Sequence, residues 1–319
     1  MSLLRFDTTT ADWVVFAPSR ALRPHRQIRQ KVEEVHSAAK CPFCPGNEAL
    51  TPPEIYSVPL SSEKRQPWRV RVIPNKFPAL RIEEDTRQTE DGPLFRSMGG
   101  CGAHEVIIES PEHGLFLAQQ PIEQIEAVLR TLQFRHRDLM RDPRFQAVII
   151  FKNHGAAAGT SLAHPHWQLI ATPVVPRLLR QKSQVATEYY DRTGRCLYCV
   201  LLAEELEAGK RMIAANADFV ALMPYASHLP FETWIMPRRQ QSSFGSVEPG
   251  QLRPLAELLR LVLLKIYTAL DNPDFNLTID SVSRGDEDQR HFLWHIRILP
   301  RVATPAGFEL GSGMSINTV

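Results

Sequence analysis

Residues 145–173 read FQAVIIFKNHGAAAGTSLAHPHWQLIATP, and this stretch decides the fold. FQAVIIF (145–151) is rich in β-branched and aromatic residues and predicts a buried strand. HPHWQLIATP (164–173) alternates in character and predicts a second strand. Alternation puts His164, His166 and Gln168 on one face, the two histidines roughly 7 Å apart. It sends Trp167 to the opposite face, into the core. The loop between the strands carries Gly155, three alanines, Gly159, Thr160 and Ser161. Such small residues let backbone N–H groups come close to an anion. A neutral imidazole beside a phosphate cradle is placed to attack phosphorus, and a phospho-linked histidine splits one displacement into two. Gln168 is placed to donate to a phosphoryl oxygen as charge develops there. An isolated H-x-H is more often plain polar surface. The adjoining loop and the zinc-like cysteines are what make a histidine of this pair a candidate nucleophile.

Upstream lie VRVIPN (70–75) and HEVIIES (104–110), both strand-like, and a helical segment at 121–140. Ile122, Ile125, Val128, Leu129 and Leu132 give that segment its apolar stripe, and Pro121 suits the first turn. Before them stands CPFC (41–44) in a Pro-rich loop. Downstream the order returns: CLYC (196–199), strands at 219–224 and 231–237, a helix at 252–270, then FNLTIDSV (275–282) and HFLWHIRILP (291–300). The repeat, about 150 residues long by domain-size arithmetic, predicts an α+β fold of two related modules. Each is an antiparallel sheet with helices packed against it. The division falls at 1–175 and 176–319, with 174–195 read as a polar linker.

Cys41 and Cys44 have the spacing of half a tetrahedral zinc site, its partners to come from His36, His104, His113 or His164. Pro42 and Pro45 argue against a redox pair opening a helix. Cys196 and Cys199 form a second half-site, with His228, His291 and His295 as candidate partners, or simply two free thiols. Arg20, Arg23, His25, Arg26 and Arg29 make an early basic cluster; planar guanidinium groups suit a diphosphate, although such a cluster is usually a solvated face. His104, His136 and His154 read as structural or surface residues.

The 319 residues are 43% hydrophobic and 23% charged, an ordinary globular composition. A net charge of +2 is too balanced for a nucleic-acid or membrane surface. The longest apolar run, 258–270, is interrupted by Arg260 and Lys265, and MSLLRFDTTT lacks a signal-peptide core. The expectation is a cytoplasmic enzyme. A zinc-ribbon-like nucleic-acid binder is disfavoured, because the two cysteine pairs stand far apart in the chain.

The stretches WVVFAPSRALRP (13–24), CPFCPGNE (41–48), VIPNKFPAL (72–80), HEVIIESPEH (104–113), FKNHGAAAGTSLAHPHWQ (151–168), PFETWIMP (230–237) and GFELGSGMSIN (307–317) resemble the galactose-1-phosphate uridylyltransferase family of the histidine-triad superfamily. HPHWQ follows its HPHGQ motif, with Trp167 in place of glycine. The resemblance implies two tandem histidine-triad-like modules, a homodimer, and transfer of a nucleoside monophosphate through a nucleotidyl-histidine on His166. It implies zinc on Cys41, Cys44, His113 and His164. Asn75, Asn153, Gly159, Thr160, Ser161 and Gln168 would hold nucleotide and phosphates, and Arg20 and Arg23 would reach the neighbouring subunit's ligand. The leading expectation is exchange between UDP-glucose and a hexose 1-phosphate. The alternative is an ADP-glucose phosphorylase, with inorganic phosphate as acceptor; a histidine-triad hydrolase is a more distant one. Ser312 and Gly313 stand where sugar-binding relatives have Tyr-Glu, and with GRCLYC (194–199) they resemble the phosphorylase branch. Gln240 and Leu293 replace the histidines of the relatives' second metal site.

Overall fold

The computed structural model describes residues 2–22, 38–60 and 68–319. The chain opens with a hairpin, β1 (Leu3–Asp7) and β2 (Asp12–Phe16), followed by β3 (Tyr56–Pro59) and β4 (Trp68–Pro74). An exposed hairpin, β5 (Gln88–Asp91) and β6 (Phe95–Met98), precedes β7 (Ala103–Ile108). Helix α1 (Ile122–Leu139), β8 (Ala147–His154) and β9 (His166–Thr172) complete the first half. The second half begins with α2 (Arg177–Thr193), α3 (Leu197–Ala208), β10 (Met212–Ala215), β11 (Phe219–Leu222) and β12 (Thr233–Pro237). It ends with α4 (Leu252–Leu270), β13 (Phe275–Asp280), β14 (His295–Pro300), α5 (Gly307–Ser312) and β15 (Ile316–Asn317).

Ten strands form one antiparallel sheet in the order β10-β11-β12-β14-β13-β8-β9-β7-β4-β3. From its centre the order is a palindrome: β8, β9, β7, β4, β3 one way and β13, β14, β12, β11, β10 the other. The repeat in the sequence is thus a repeat in the α+β fold. β8 and β13 pair directly, Phe151 opposite Thr278, so the halves share one sheet. β1, β2 and β15 make a separate small sheet that ties the two ends of the chain together.

One face of the large sheet lies under α1 and α4, which pack on each other. Their stripes, including Ile125, Leu129 and Leu132 of α1 and Leu255, Leu259 and Val262 of α4, join Trp167, Leu169, Leu277 and Ile296 in the main core. Each such fully buried side chain contributes roughly 1.5–3 kcal/mol. Trp167 is completely buried there, as the strand alternation predicts. The opposite face is covered differently in each half. The Cys41–Cys44 loop lies over the first, with Phe43, Trp68, Val106 and Ile108. Helix α3 and the inner side of α2 lie over the second, with Tyr198, Trp234 and Phe292.

The segment read as a linker is α2. Pro176 starts it, Gly194 stops it in the left-handed conformation, and Leu179, Lys182 and Ala186 form its buried stripe. Two of those three positions are small or charged, which hid the helical period from a hydrophobicity reading. Among the described residues, no helix is long and apolar enough to cross a membrane.

Candidate active site

The loop before β3 and the loop after β7 converge on the start of β9. Cys41, Cys44, His113 and His164 bring one ligand atom each into a group whose members all lie within 4.8 Å of one another. Cys44 Sγ is 3.4 Å from His113 Nδ1 and 3.5 Å from His164 Nδ1, and Cys41 Sγ is 3.7 Å from His164 Nδ1. His164 Nε2 lies 2.7 Å from the Ser110 carbonyl, which can only accept, so Nε2 carries the proton and the Nδ1 lone pair faces the sulfurs. Burial, and then the neighbouring Cys41 sulfur, push the Cys44 thiol up to about 12. A cation among these four side chains would reverse that preference and hold the sulfurs as thiolates.

His166 opens β9, buried at 7% exposure beside this group. Its Nδ1 lies 2.8 Å from the His164 carbonyl, so Nδ1 carries the proton and Nε2 keeps its lone pair. Burial lowers its pKa to about 4, against the bond to the His164 carbonyl, with the nearby Lys152 cation adding to the fall. At neutral pH the ring is therefore uncharged and of fixed tautomer, with a lone pair on Nε2. Phe43 packs edge-on against it at 5.3 Å.

Gln168 is oriented by His104, a residue that the sequence reading took as structural or surface. The Ala79 N–H donates to His104 Nδ1 at 3.1 Å, so His104 is protonated on Nε2. That N–H donates to Gln168 Oε1 at 2.8 Å, which leaves the Gln168 amide NH2 for another acceptor. Asn75 lies against the same ring, its Nδ2 3.1 Å from His104 Nε2, and its Oδ1 accepts from the Phe77 N–H.

Lys152 and Glu109 were also missed. They form a buried ion pair at 3.0 Å, and Lys152 Nζ donates to the His166 carbonyl at 3.3 Å. Gln120 Nε2 donates to the same carboxylate. The pair anchors the main chain of His166, and removing one partner of such a pair costs about 3–5 kcal/mol. Its signal in the sequence is a lysine at an inward position of an otherwise apolar strand.

The small-residue loop is a turn of 3-10 helix, Ala156–Ala158, between left-handed Gly159 and a Gly155 of positive φ. Its amides are largely engaged: those of Ala158 and Thr160 on the Gly155 carbonyl, that of Gly159 on Ala156, and that of Ala157 on Asp274 Oδ2 at 2.6 Å. A Cβ on Gly155 would collide with the Asp274 carboxylate, which makes glycine obligatory there. The loop is therefore tight rather than an open ring of free amides. The donors it offers are side chains at its edge, the buried Thr160 hydroxyl and Asn153.

The family model described as the galactose-1-phosphate uridyl transferase N-terminal domain matches residues 1–176. The chain belongs to the galactose-1-phosphate uridylyltransferase family of nucleotidyltransferases. It is 34% identical to an ADP-glucose phosphorylase of Arabidopsis thaliana, over 99% of this chain and 89% of that protein. It is 27% identical to a galactose-1-phosphate uridylyltransferase of Haemophilus influenzae, over 97% and 88% of the two. An Arabidopsis thaliana ADP-glucose phosphorylase solved with ADP-glucose bound superposes with a TM-score of 0.86 at 32% identity, covering 100% of this chain and 96% of that one.

The remaining residues expected from the family pattern stand on other parts of the described chain or outside it. Ser312 and Gly313 sit at the exposed end of α5, where the Ser312 hydroxyl donates to the Phe308 carbonyl at 2.6 Å. Arg20 is half-buried in a 3-10 turn, Pro18–Leu22, and Ser161 is exposed in the loop. Arg23, His25, Arg26, Arg29 and His36 fall outside the described residues. Cys196 caps α3, accepting the Cys199 N–H at 3.3 Å. None of its candidate partners joins it. His228 bonds Asp7 and Ser315, and His295 faces Lys182. Gln240 donates to the carbonyls of Gln289 and Phe292, and Leu293 is core.

Proposed function

We propose that His166 Nε2 attacks the α-phosphorus of a nucleotide-diphosphate sugar. A P–N bond forms, the P–O bond to the leaving group breaks, and sugar 1-phosphate departs. An acceptor phosphate oxygen then attacks the same phosphorus, the P–N bond breaks, and the imidazole returns. The observation that carries this is the tautomer of His166, fixed with its lone pair on Nε2 beside the donors Gln168 and Asn153. Gln168, held by His104, offers N–H to the phosphoryl oxygens as their charge grows. Asn75, Gly159, Thr160 and Ser161 complete the nucleotide and phosphate contacts.

The acceptor we favour is inorganic phosphate and the donor ADP-glucose. Ser312 and Gly313 offer neither the phenol nor the carboxylate that would read a hexose, and the phosphorylase is the more identical of the two relatives compared. The second reading is exchange of uridylyl groups between UDP-glucose and a hexose 1-phosphate, supported by the family model and the Haemophilus relative.

Zinc fits the four-ligand group. With Zn–S near 2.3 Å and Zn–N near 2.0 Å, a tetrahedron has S···N edges of about 3.5 Å, against 3.4–3.7 Å here. Its role is structural, tying the N-terminal loop to the strand that starts with His166. We further infer a division at 175/176, a homodimer with Arg20 and Arg23 directed to the partner's ligand, a cytoplasmic location, and no nucleic-acid or membrane partner.

The test is a panel of ADP-glucose, UDP-glucose, UDP-galactose and GDP-sugars, each alone, with phosphate, and with hexose 1-phosphate, following sugar 1-phosphate release. Phosphate-dependent turnover of ADP-glucose is expected. Turnover only with UDP-glucose and hexose 1-phosphate selects the second reading. Rapid turnover of a nucleotide sugar alone would replace both with a hydrolase.

A further inference from the structure

The second half of the chain reaches into the phosphate loop through three side chains that the proposed mechanism does not use. Asn276 lies directly opposite Asn153 in the β8–β13 register. Its Nδ2 donates to Asn153 Oδ1 at 2.8 Å and to the Ala158 carbonyl at 2.9 Å. Its Oδ1 accepts from Arg301 Nε at 2.5 Å. Arg301 follows β14, and its own N–H bonds the Asp274 carbonyl, so the guanidinium starts from a fixed base.

The polarity of this chain is not free. A guanidinium has only donors and a carbonyl only lone pairs. Arg301 on one side and the Ala158 carbonyl on the other therefore allow a single orientation of the Asn276 amide, oxygen to Arg301 and NH2 to the loop. The Asn153 oxygen must then accept from Asn276, and the Asn153 NH2 must turn the other way. It does so: Asn153 Nδ2 is the group nearest the Cβ position of Gly159, at 3.9 Å. With the opposite flip, Asn153 would show an oxygen to an anionic phosphate.

We propose that Arg301 and Asn276 are positioning residues that fix the donor face of Asn153 toward the nucleotide's phosphates. The second half of the fold thereby sets the hydrogen-bond polarity of the site in the first. This inference rests on the reading of Asn153 as a phosphate ligand. Asp274, which accepts the Ala157 N–H, holds the rest of the loop from the same side.

The test is steady-state kinetics of sugar 1-phosphate release by the metal-loaded enzyme, for single and double variants. Arg301→Lys keeps a donor-only group and should stay within about threefold of wild type. Arg301→Gln can present either end of its amide, and should raise KM for the nucleotide sugar about tenfold with a smaller change in kcat. Asn276→Asp cannot donate to Asn153 and should lose at least as much as Arg301→Gln. Asn153→Ala should itself lose kcat/KM, and Arg301→Gln added to it should cost nothing further, because the relay acts only through Asn153. An equal Arg301→Gln loss in the Asn153→Ala background would overturn the relay and leave the phosphate reading of Asn153 standing. An unaffected Asn153→Ala would remove Asn153 from the site, and the relay with it. A melting temperature for each variant separates these outcomes from loss of fold.

Discussion

The sheet's palindrome sets His166 at the start of β9 and His295 at the start of β14, and both rings are built the same way. His166 Nδ1 bonds the carbonyl two residues back at 2.8 Å, and His295 Nδ1 does so at 2.9 Å. Phe43 lies 5.3 Å from the first ring and Tyr198, in the matching position of its C-x-x-C segment, 5.2 Å from the second. Burial lowers both pKa values, to about 4 and about 3, with Lys152 contributing to the first and Lys182 to the second. What differs is the space over Nε2. Trp234 stacks on His295 at 4.7 Å, and Lys182 Nζ from α2 comes within 3.5 Å of its Nε2. Asp280 holds Lys182 there at 2.7 Å and also pairs with Arg297 at 2.9 Å, and Arg297 stands where the first half has Gln168. A neutral imidazole of fixed tautomer is thus a common product of this fold. What distinguishes the catalytic candidate is that, among the described residues, no ammonium stands against its Nε2, as Lys182 does against that of His295.

The largest expected effect separates the two rings directly. His166→Ala should lower transfer by about a thousandfold or more and abolish trapping of a radiolabelled nucleotidyl enzyme. His295→Ala should destabilise by about 1–3 kcal/mol through a core cavity and still take up label. Full labelling of His166→Ala, or loss of labelling in a folded His295→Ala, would reverse the assignment. Next come the two cysteine pairs. Cys41→Ser should lose bound metal and about 3 kcal/mol or more of stability. Cys196→Ser should leave metal content unchanged, with only the weaker loss of a helix cap. Elemental analysis and denaturant titration check both. A smaller effect tests His104: His104→Phe frees the Gln168 amide to rotate and should reduce kcat/KM about tenfold, whereas an unchanged value would show that Gln168 orients itself.

The sequence carried the strands on either side of the β8–β13 seam, helices α1 and α4, the repeat and the cysteine pairs, because period, β-branching and C-x-x-C spacing are local properties; which histidines join Cys41 and Cys44 came from the family resemblance. His104 was legible as a strand residue but not as the orienter of Gln168. That role depends on the Ala79 N–H, supplied by a loop 25 residues earlier. Asn276 and Arg301 were invisible for the same reason, since Asn276 has its partners Asn153 and Ala158 more than 100 residues away across the β8–β13 seam and Arg301 reaches them only through Asn276. Helix α2 was misread as a linker, because an amphipathic stripe of leucine, lysine and alanine scores as polar, although its Lys182 stands against His295.

His228 breaks the pattern of neutral histidines and gives the smallest effect. It too is substantially enclosed, and burial alone would lower its pKa. The Asp7 carboxylate at 2.8 Å, with Glu232 nearby, outweighs that and raises it above the ordinary value. Asp7, held down to about 2 through the same bond despite its burial, stays ionised throughout the neutral range. A histidine raised on folding contributes stability that is full below its unfolded pKa of about 6.5 and is lost as pH rises through the higher folded value. The tie joins the β1–β2 hairpin to the loop before β12, so the loss falls on the docking of the N-terminal sheet. Wild type should therefore lose about 2 °C in Tm on going from pH 6 to pH 8 beyond the loss in His228→Gln, which keeps a donor without the charge. Parallel pH slopes for the two proteins would show that His228 is neutral after all, and that burial governs all three imidazoles alike.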